Sequence, residues 1–561
     1  MRTLVLAGAI LLALPAAAPA QTGSTTPALG DLSKLGRVQF PTSCDPAVQK
    51  EFERGVALLH SFFYDEARRV FTKVANQDPE CAMAHWGVAM TYYHPIWTAP
   101  DSSELAAGLA AVEKALAASK KSGRELEYVR AVEAFYKGFD LPVDPAAAAA
   151  PSCHGPARID HRGRAACYMR EMEKVASHDS ADVEAAAFYA LSLLGTAPPG
   201  DPALANQKKS AEVLERWFAA RRDHPGIAHY LIHSYDYPPI AAKGLQAANI
   251  YAAMAPGVPH ALHMPSHIYT RLGMWQETIA SNRASAEAAR KYAAAFHPDA
   301  ASFEELHALD YLAYGYLQTG QDRKTREVLD RLAAITRTYP ATDFVAAYAF
   351  GAIPARYVLE RREWKEAAAL EVRPMPFWGR FPFAEGHLTY ARAVGAARSG
   401  NLAAAEKAAD RLKELAAAVV DPRFRYFADQ MLLQREAALG LIASARGDKD
   451  QAVRLLSVAA AREDSLGKHP VSPGAILPVR ELLAETLLEA GKPAEALAEF
   501  EASLKIYPGR FNGLCGAARA ADRAGRRQAA VGYYTRLLDL AKPGDGTRLE
   551  IAEARAFLKR S

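Results

Sequence analysis

Histidine is the residue type with the most uneven distribution in this chain. Eight of the 16 histidines fall between residues 224 and 307: His224, His229, His233, His260, His263, His267, His297 and His307. An even spread over 561 residues would put between two and three there. His229 and His233 are four apart, as are His263 and His267, so each pair shares one face of a helix. The second pair repeats the first after 34 residues (229 to 263, 233 to 267). Two i,i+4 steps of ~6 Å each, on helices packed ~8–10 Å apart, let four imidazoles converge. Neutral imidazole is a common ligand for Zn, Cu, Ni or Fe. His229, His233, His263 and His267 are therefore predicted to bind one divalent transition metal or a polar ligand. Asp236 and Asp310 can add an oxygen ligand or orient a ring. Two other readings stay open. The histidines can bond neighbouring helices and simply specify their stacking, or they can sense pH.

Pro265 complicates the second pair. Pro259 is well placed to open a helix, but Pro265 inside it would remove a hydrogen bond and clash. Either the helix kinks or it starts at Pro265, in which case His263 and His267 share no regular face. A second cluster is aromatic: His85-Trp86 and Tyr92-Tyr93-His94-Pro95-Ile96-Trp97. Such residues can grip an extended peptide or an apolar ligand, with core packing as the alternative. No hydrolase elbow, Walker loop, dinucleotide fingerprint or HExxH is present. Enzymatic activity is left open, with a non-enzymatic role preferred.

The elements that must position these residues are helical. Ala, Leu, Glu, Lys and Arg dominate, and no alternating β-rich run competes. An apolar fraction of 50% and 9% aromatics exclude disorder as the main state. A net charge of +4 gives no reason to expect nucleic acid as a partner. Residues 1–20 read as a secretory signal: Arg2, an apolar run from Leu4 to Leu14, then Ala18-Pro19-Ala20 before Gln21. That run is too short to span a bilayer. The mature chain is expected to be exported, periplasmic or secreted, with no transmembrane segment.

Internal periodicity organises the rest. Gly491, Ala496 and Phe500 recur 34 residues later as Gly525, Ala530 and Tyr534, and Pro508 closes the first of these units. Gly55, Ala67, Phe71 and Pro79 carry the same signature near the N-terminus. Successive turn marks between them lie 38 to 47 residues apart (Gly273, Gly320, Arg362, Gly400, Gly447, Gly491). This pattern resembles the tetratricopeptide repeat, a 34-residue helix–turn–helix. Its small residues let helices A and B approach, its aromatic fills the layer to the next repeat, and its proline stops helix B. The strings AHWGVAMTYYHP, HPGIAHYLIHSYDYPP and APGVPHALHMPSHIYTRLGMWQE further resemble exported bacterial tetratricopeptide-like proteins. That likeness implies fold and export and carries no activity with it.

The resemblance implies an all-α right-handed superhelical solenoid whose A helices line a concave groove. Both histidine pairs then fall at groove positions of successive A helices. Trp86, Tyr93, His94, His260, His307 and Asp310 also take groove positions and are assigned to ligand binding. In the same register Cys44 and Cys81 precede adjacent A helices, which implies a disulfide between them. Five inert thiols are the alternative, and pairing of Cys153 with Cys167 is left open. The expected organisation is signal 1–20, flexible leader 21–43, N-terminal repeats 44–145, histidine-rich helices 146–300 and C-terminal repeats 301–561. Residues 370–384, with three prolines and an aromatic cluster, are expected to form a loop, read as an inserted lid. The leading function is a scaffold binding a protein, peptide or small ligand in its groove beside a histidine-rich metal site. A metal-dependent, hydrolase-like enzyme and a plain protein–protein adaptor are the alternatives.

Overall fold

The computed structural model describes residues 32–96, 99–137, 161–198 and 200–560. The signal segment, the Pro/Ala stretch with Cys153, and Trp97 lie outside the described residues. Within them the chain is all-α, apart from one short parallel pair, Ala301–Ser302 with Thr338–Tyr339. Helices pair in sequence as antiparallel hairpins, for example Gln49–His60 with Tyr64–Gln77 and Phe511–Arg523 with Arg527–Leu540. Each hairpin stacks on the next, so the array is a solenoid.

The repeat signature has a visible packing cause. Phe71 lies between Gly55 of its own hairpin and Gly87 of the next. A Cβ on Gly55 would sit 2.7 Å from the Phe71 ring, and one on Gly87 2.4 Å from it. Near the other end, Phe500 presses on Gly516 in the same way, at 2.2 Å from a Cβ built there. Gly87→Ala should therefore destabilise the chain by about 1–3 kcal/mol through overpacking, despite the helix propensity it adds. Gly532, also helical but with open space around its Cβ position, is the control. Its change to Ala should stabilise by about 0.5–1 kcal/mol. Urea midpoints of the two variants, moving in opposite directions, check this.

Inner and outer helices differ in burial. Outer helices such as Asp322–Ala334 bury a single stripe, here Thr325, Val328 and Leu332. Inner helices are buried nearly all round, and every residue of Pro225–Tyr235 is buried. An apolar stripe on one face suffices for a surface helix, whereas burial on all faces means the superhelix has closed on itself. Helix Gln49–His60 indeed packs on Pro225–Tyr235, and Phe303–Gln318 on Phe511–Arg523. One apolar core runs from Leu35 to Tyr292 and a second from Ile279 to Phe557, meeting along helix Trp275–Phe296. The turn at Pro508-Gly509 ties the halves: Gly509 O accepts from Trp275 Nε1 at 2.8 Å. Gly273 is held at φ +70°, where any Cβ would meet Pro508 O at 2.6 Å.

Two segments differ from their expected character. Residues 32–43, assigned to a flexible leader, are docked. Leu35, Val38 and Phe40 are buried in the first core, and Ser43 N and Oγ both donate to Glu125. Their apolar spacing gives this stretch a face to bury. Within 370–384, Met375, Phe377 and Phe381 are buried in the second core, with Phe377 against Phe350 and Phe381 against Phe424. This loop is core rather than lid. Cys44 and Cys81 are joined, with S–S at 1.98 Å and Cα atoms 4.8 Å apart. Cys81 also caps helix Ala82–Met90. Cys515 is a buried free thiol.

Candidate metal centre

Six histidines meet inside the solenoid. His229 and His233 come from helix Pro225–Tyr235, and His260 and His263 from the short helix Pro259–His263. His267 comes from Pro265–Leu272 and His307 from Phe303–Gln318. All six are buried, none more than 8% exposed. Pro265 does divide the helix, but Met264 keeps helical angles (φ −53°, ψ −39°) and Pro265 takes the first position of the next segment. A proline there gives up an N–H that has no partner anyway. The segments therefore stay nearly collinear, and His263 and His267 converge.

Convergence takes a different grouping from the four-histidine set read from the sequence. Nitrogens within 4.8 Å of one another fall into two sets of three: His229, His233 and His260, and His263, His267 and His307. In the first, His229 Nε2 lies 3.1 Å from the Nε2 atoms of both His233 and His260. In the second, His263 Nε2 and His267 Nε2 are 2.9 Å apart, and the His307 ring is 4.3 Å from that of His263. The triads adjoin, with 6.0 Å between the ring centres of His233 and His267. His260 and His307, assigned to ligand binding from their register, thus complete the two triads.

Partners on the far side of each ring set the tautomers. His229 Nδ1 is 2.6 Å from the carbonyl of His60, which can only accept, so Nδ1 carries the proton and Nε2 a lone pair. His267 Nδ1 donates to Asp236 Oδ2 at 2.8 Å. His263 Nδ1 donates to Asn282 Oδ1 at 2.6 Å, and the amide cannot be reversed because Asn282 Nδ2 already donates to Thr278 O. His263 and His267 therefore point two bare Nε2 lone pairs at each other across 2.9 Å. Two acceptors at that distance repel unless a proton or a metal ion lies beside them. Burial disfavours the proton: it holds His263 well below the ordinary imidazole range and pushes His229 down to about 3. Desolvation also lowers His267, although the Asp236 carboxylate works the other way.

The surroundings hold these rings rigidly. Asp236 Oδ1 accepts from Arg271 Nε at 2.9 Å, and its Oδ2 pairs with Lys468 Nζ at 2.7 Å. A carboxylate behind a ligating histidine fixes the ring and raises its basicity. Tyr311 lies edge-on to His263 at 4.7 Å and Tyr251 stacks on His229 at 5.1 Å. Phe62 packs on His229, His260 and His233 at 4.4, 5.4 and 5.8 Å. It does so from φ 54°, a left-handed conformation that costs a bulky residue about 1–2 kcal/mol. Lys468 belongs to a loop held from inside by Arg356, which donates to Gly474 O and Ala475 O. Burial lowers the Lys468 ammonium to about 8.

The other residues assigned to ligand binding go elsewhere. Trp86 and Tyr93 are fully buried, Trp86 against Phe40, Tyr128 and Phe188, and Tyr93 against Phe135 and Tyr168. This is core packing, because closure of the superhelix fills its own inner face. His94 Nε2 bonds Thr91 O at 3.1 Å and its ring packs on Tyr64. Asp310 pairs with Arg356 at 3.1 Å instead of meeting the histidines. Sequence reasoning missed Phe62, Asn282, Tyr311 and Lys468, and the role of His60. No spacing in the chain connects Lys468 to Asp236, 232 residues earlier (468 − 236).

Among described residues no helix is long and apolar enough to cross a membrane. No family model matches the sequence, and no curated protein does. Among solved structures the chain is similar to yeast Tom70, at 12% identity and a TM-score of 0.31 over 92% of this chain and 96% of that one. It is also similar to a chain of the APC/C hetero-tetramer Cut9–Hcn1, at 13% identity and a TM-score of 0.28 over 92% and 95%. At these values neither neighbour bears on what this chain does, and its own helix packing defines the fold.

Proposed function

We propose that this chain is an exported helical scaffold whose interior holds a histidine-lined transition-metal centre. The observation that carries the reading is the pair of Nε2 lone pairs on His263 and His267, 2.9 Å apart and both fixed by acceptors on the far side. A metal ion resolves that repulsion, and Asp236 and the His60 carbonyl are the kind of outer partners ligating histidines have. Rings this buried, closed over by Phe62 and Tyr311, suit an ion held in place better than an open position for substrate and water. The hydrolase-like alternative is therefore not preferred. Export rests on residues 1–20, and Edman or mass-spectrometric identification of a mature N-terminus near Gln21 tests it. A protein or peptide partner belongs to the same reading, since stacked hairpins offer extended surfaces. With Trp86 and Tyr93 in the core, it would have to bind elsewhere on the array.

The test is elemental analysis of protein purified without a histidine tag, before and after dialysis against Zn, Cu and Ni salts. Retention of at least one ion per chain, with the metal content lowered in His263→Gln, is expected. Protein that retains no transition metal under any of these conditions would show that the rings only pack.

A further inference from the structure

Resting on that reading, we propose that the centre holds two ions, one in each triad, and that both are copper(I). The number follows from the geometry. Nitrogens close enough to share an ion form two sets of three, and each set has its own outer support: the His60 carbonyl behind His229, and Asp236 and Asn282 behind His267 and His263. Four imidazoles around one ion would have to draw from both sets.

The oxidation state follows from charge. Every candidate ligand is a neutral imidazole. The carboxylate touching the cluster, Asp236, is already flanked by Arg271 and Lys468. Asp236, Arg271 and Lys468 together carry a net +1, so the carboxylate in contact with the six rings does not offset bound cations. Two divalent ions would add +4 in a buried space. The cost of burying an ion grows with the square of its charge, so two monovalent ions meet a far smaller penalty. Copper(I) is the monovalent transition ion that accepts imidazole nitrogen, and three ligands complete its coordination. Imidazole is among the ligands that suit copper. A ring of aromatic side chains (Phe62, Tyr251, Tyr311) in place of carboxylates suits the lower charge as well.

The experiment is an anaerobic titration of metal-free, full-length protein with copper(I) against a chromogenic copper(I) chelator, beside a zinc titration against a zinc dye. Two copper(I) equivalents per chain are expected, with zinc bound at least 100-fold more weakly or at fewer sites. His229→Gln/His260→Gln should remove one equivalent, and His263→Gln/His307→Gln the other. A wild-type stoichiometry of one copper(I), or zinc filling both triads in preference to copper(I), overturns the proposal while leaving a metal-binding scaffold intact. Absence of binding by every metal brings down both. Should a double variant fail to fold by circular dichroism, the wild-type stoichiometry and the copper–zinc preference still decide.

Discussion

Saturating metal is expected to stabilise the wild-type chain by about 4 kcal/mol for each filled triad at a thousandfold excess over Kd, and the His263→Gln/His267→Gln variant, which keeps only the His229, His233 and His260 triad, by about half the wild-type amount. The sign in metal-free protein is equally informative. There the wild type carries two Nε2 lone pairs forced together at 2.9 Å, a buried repulsion with no proton to relieve it. Glutamine brings an NH2 group that can donate where imidazole could not, and its shorter reach leaves room to relax. The variant should therefore match or exceed the metal-free wild type in urea while losing about half of the response to metal. A purely structural role makes the reverse forecast: the variant is weaker without metal, and metal changes neither protein. Denaturation curves in chelator and in excess metal separate the two outcomes directly.

Arg510→Met is expected to cost about 3–5 kcal/mol, the range for removing one partner of a buried ion pair. Arg510 is wholly buried and forks between two carboxylates. It donates to Glu360 at 2.7 and 3.1 Å and to Glu481 at 2.7 and 3.1 Å, with Tyr314 Oη at 2.9 Å. Methionine fills the space but strands two acids against each other, and burial already pushes Glu481 upward. Lysine should rescue little, because a point charge cannot meet both carboxylates in the forked geometry. Adding Glu360→Gln and Glu481→Gln to Arg510→Met should recover much of the loss, since the stranded charges are gone. Loss of less than 1 kcal/mol in the single variant, read from the urea transition of the C-terminal half, would mean the pair contributes little to closing that coil.

These two sites differ in how far the amino-acid order alone reveals them. The hairpin register is local. Gly55, Ala67, Phe71 and Pro79 lie within one repeat, and the Phe71 ring between Gly55 and Gly87 is the contact their spacing foretells. The same register places Cys44 and Cys81 ahead of neighbouring inner helices, where they are joined. His229 with His233, and His263 with His267, are legible for a similar reason: a helix turn puts residues four apart on one face, whatever the rest of the chain does. Even Pro265 obeys a local rule, taking a first helical position.

Everything that turns paired histidines into a centre is non-local. His229 takes its tautomer from a carbonyl 169 residues away, and His267 is held by an aspartate that also meets Lys468 from the opposite half of the chain. Arg510 reaches Glu360 across 150 residues. Such contacts depend on the pitch at which hairpins stack, and here the spacing of turn marks varies between 34 and 47 residues. Irregular layers accumulate small rotations that no single repeat encodes. They tighten the superhelix until its inner helices touch across the axis. That closure moves Trp86 and Tyr93 from an expected groove into the core and divides the histidines into two triads. The sequence alone determined the hairpins and which histidines share a face; only the tertiary structure decided what those faces meet, because closure of the coil is a sum over every layer of the stack.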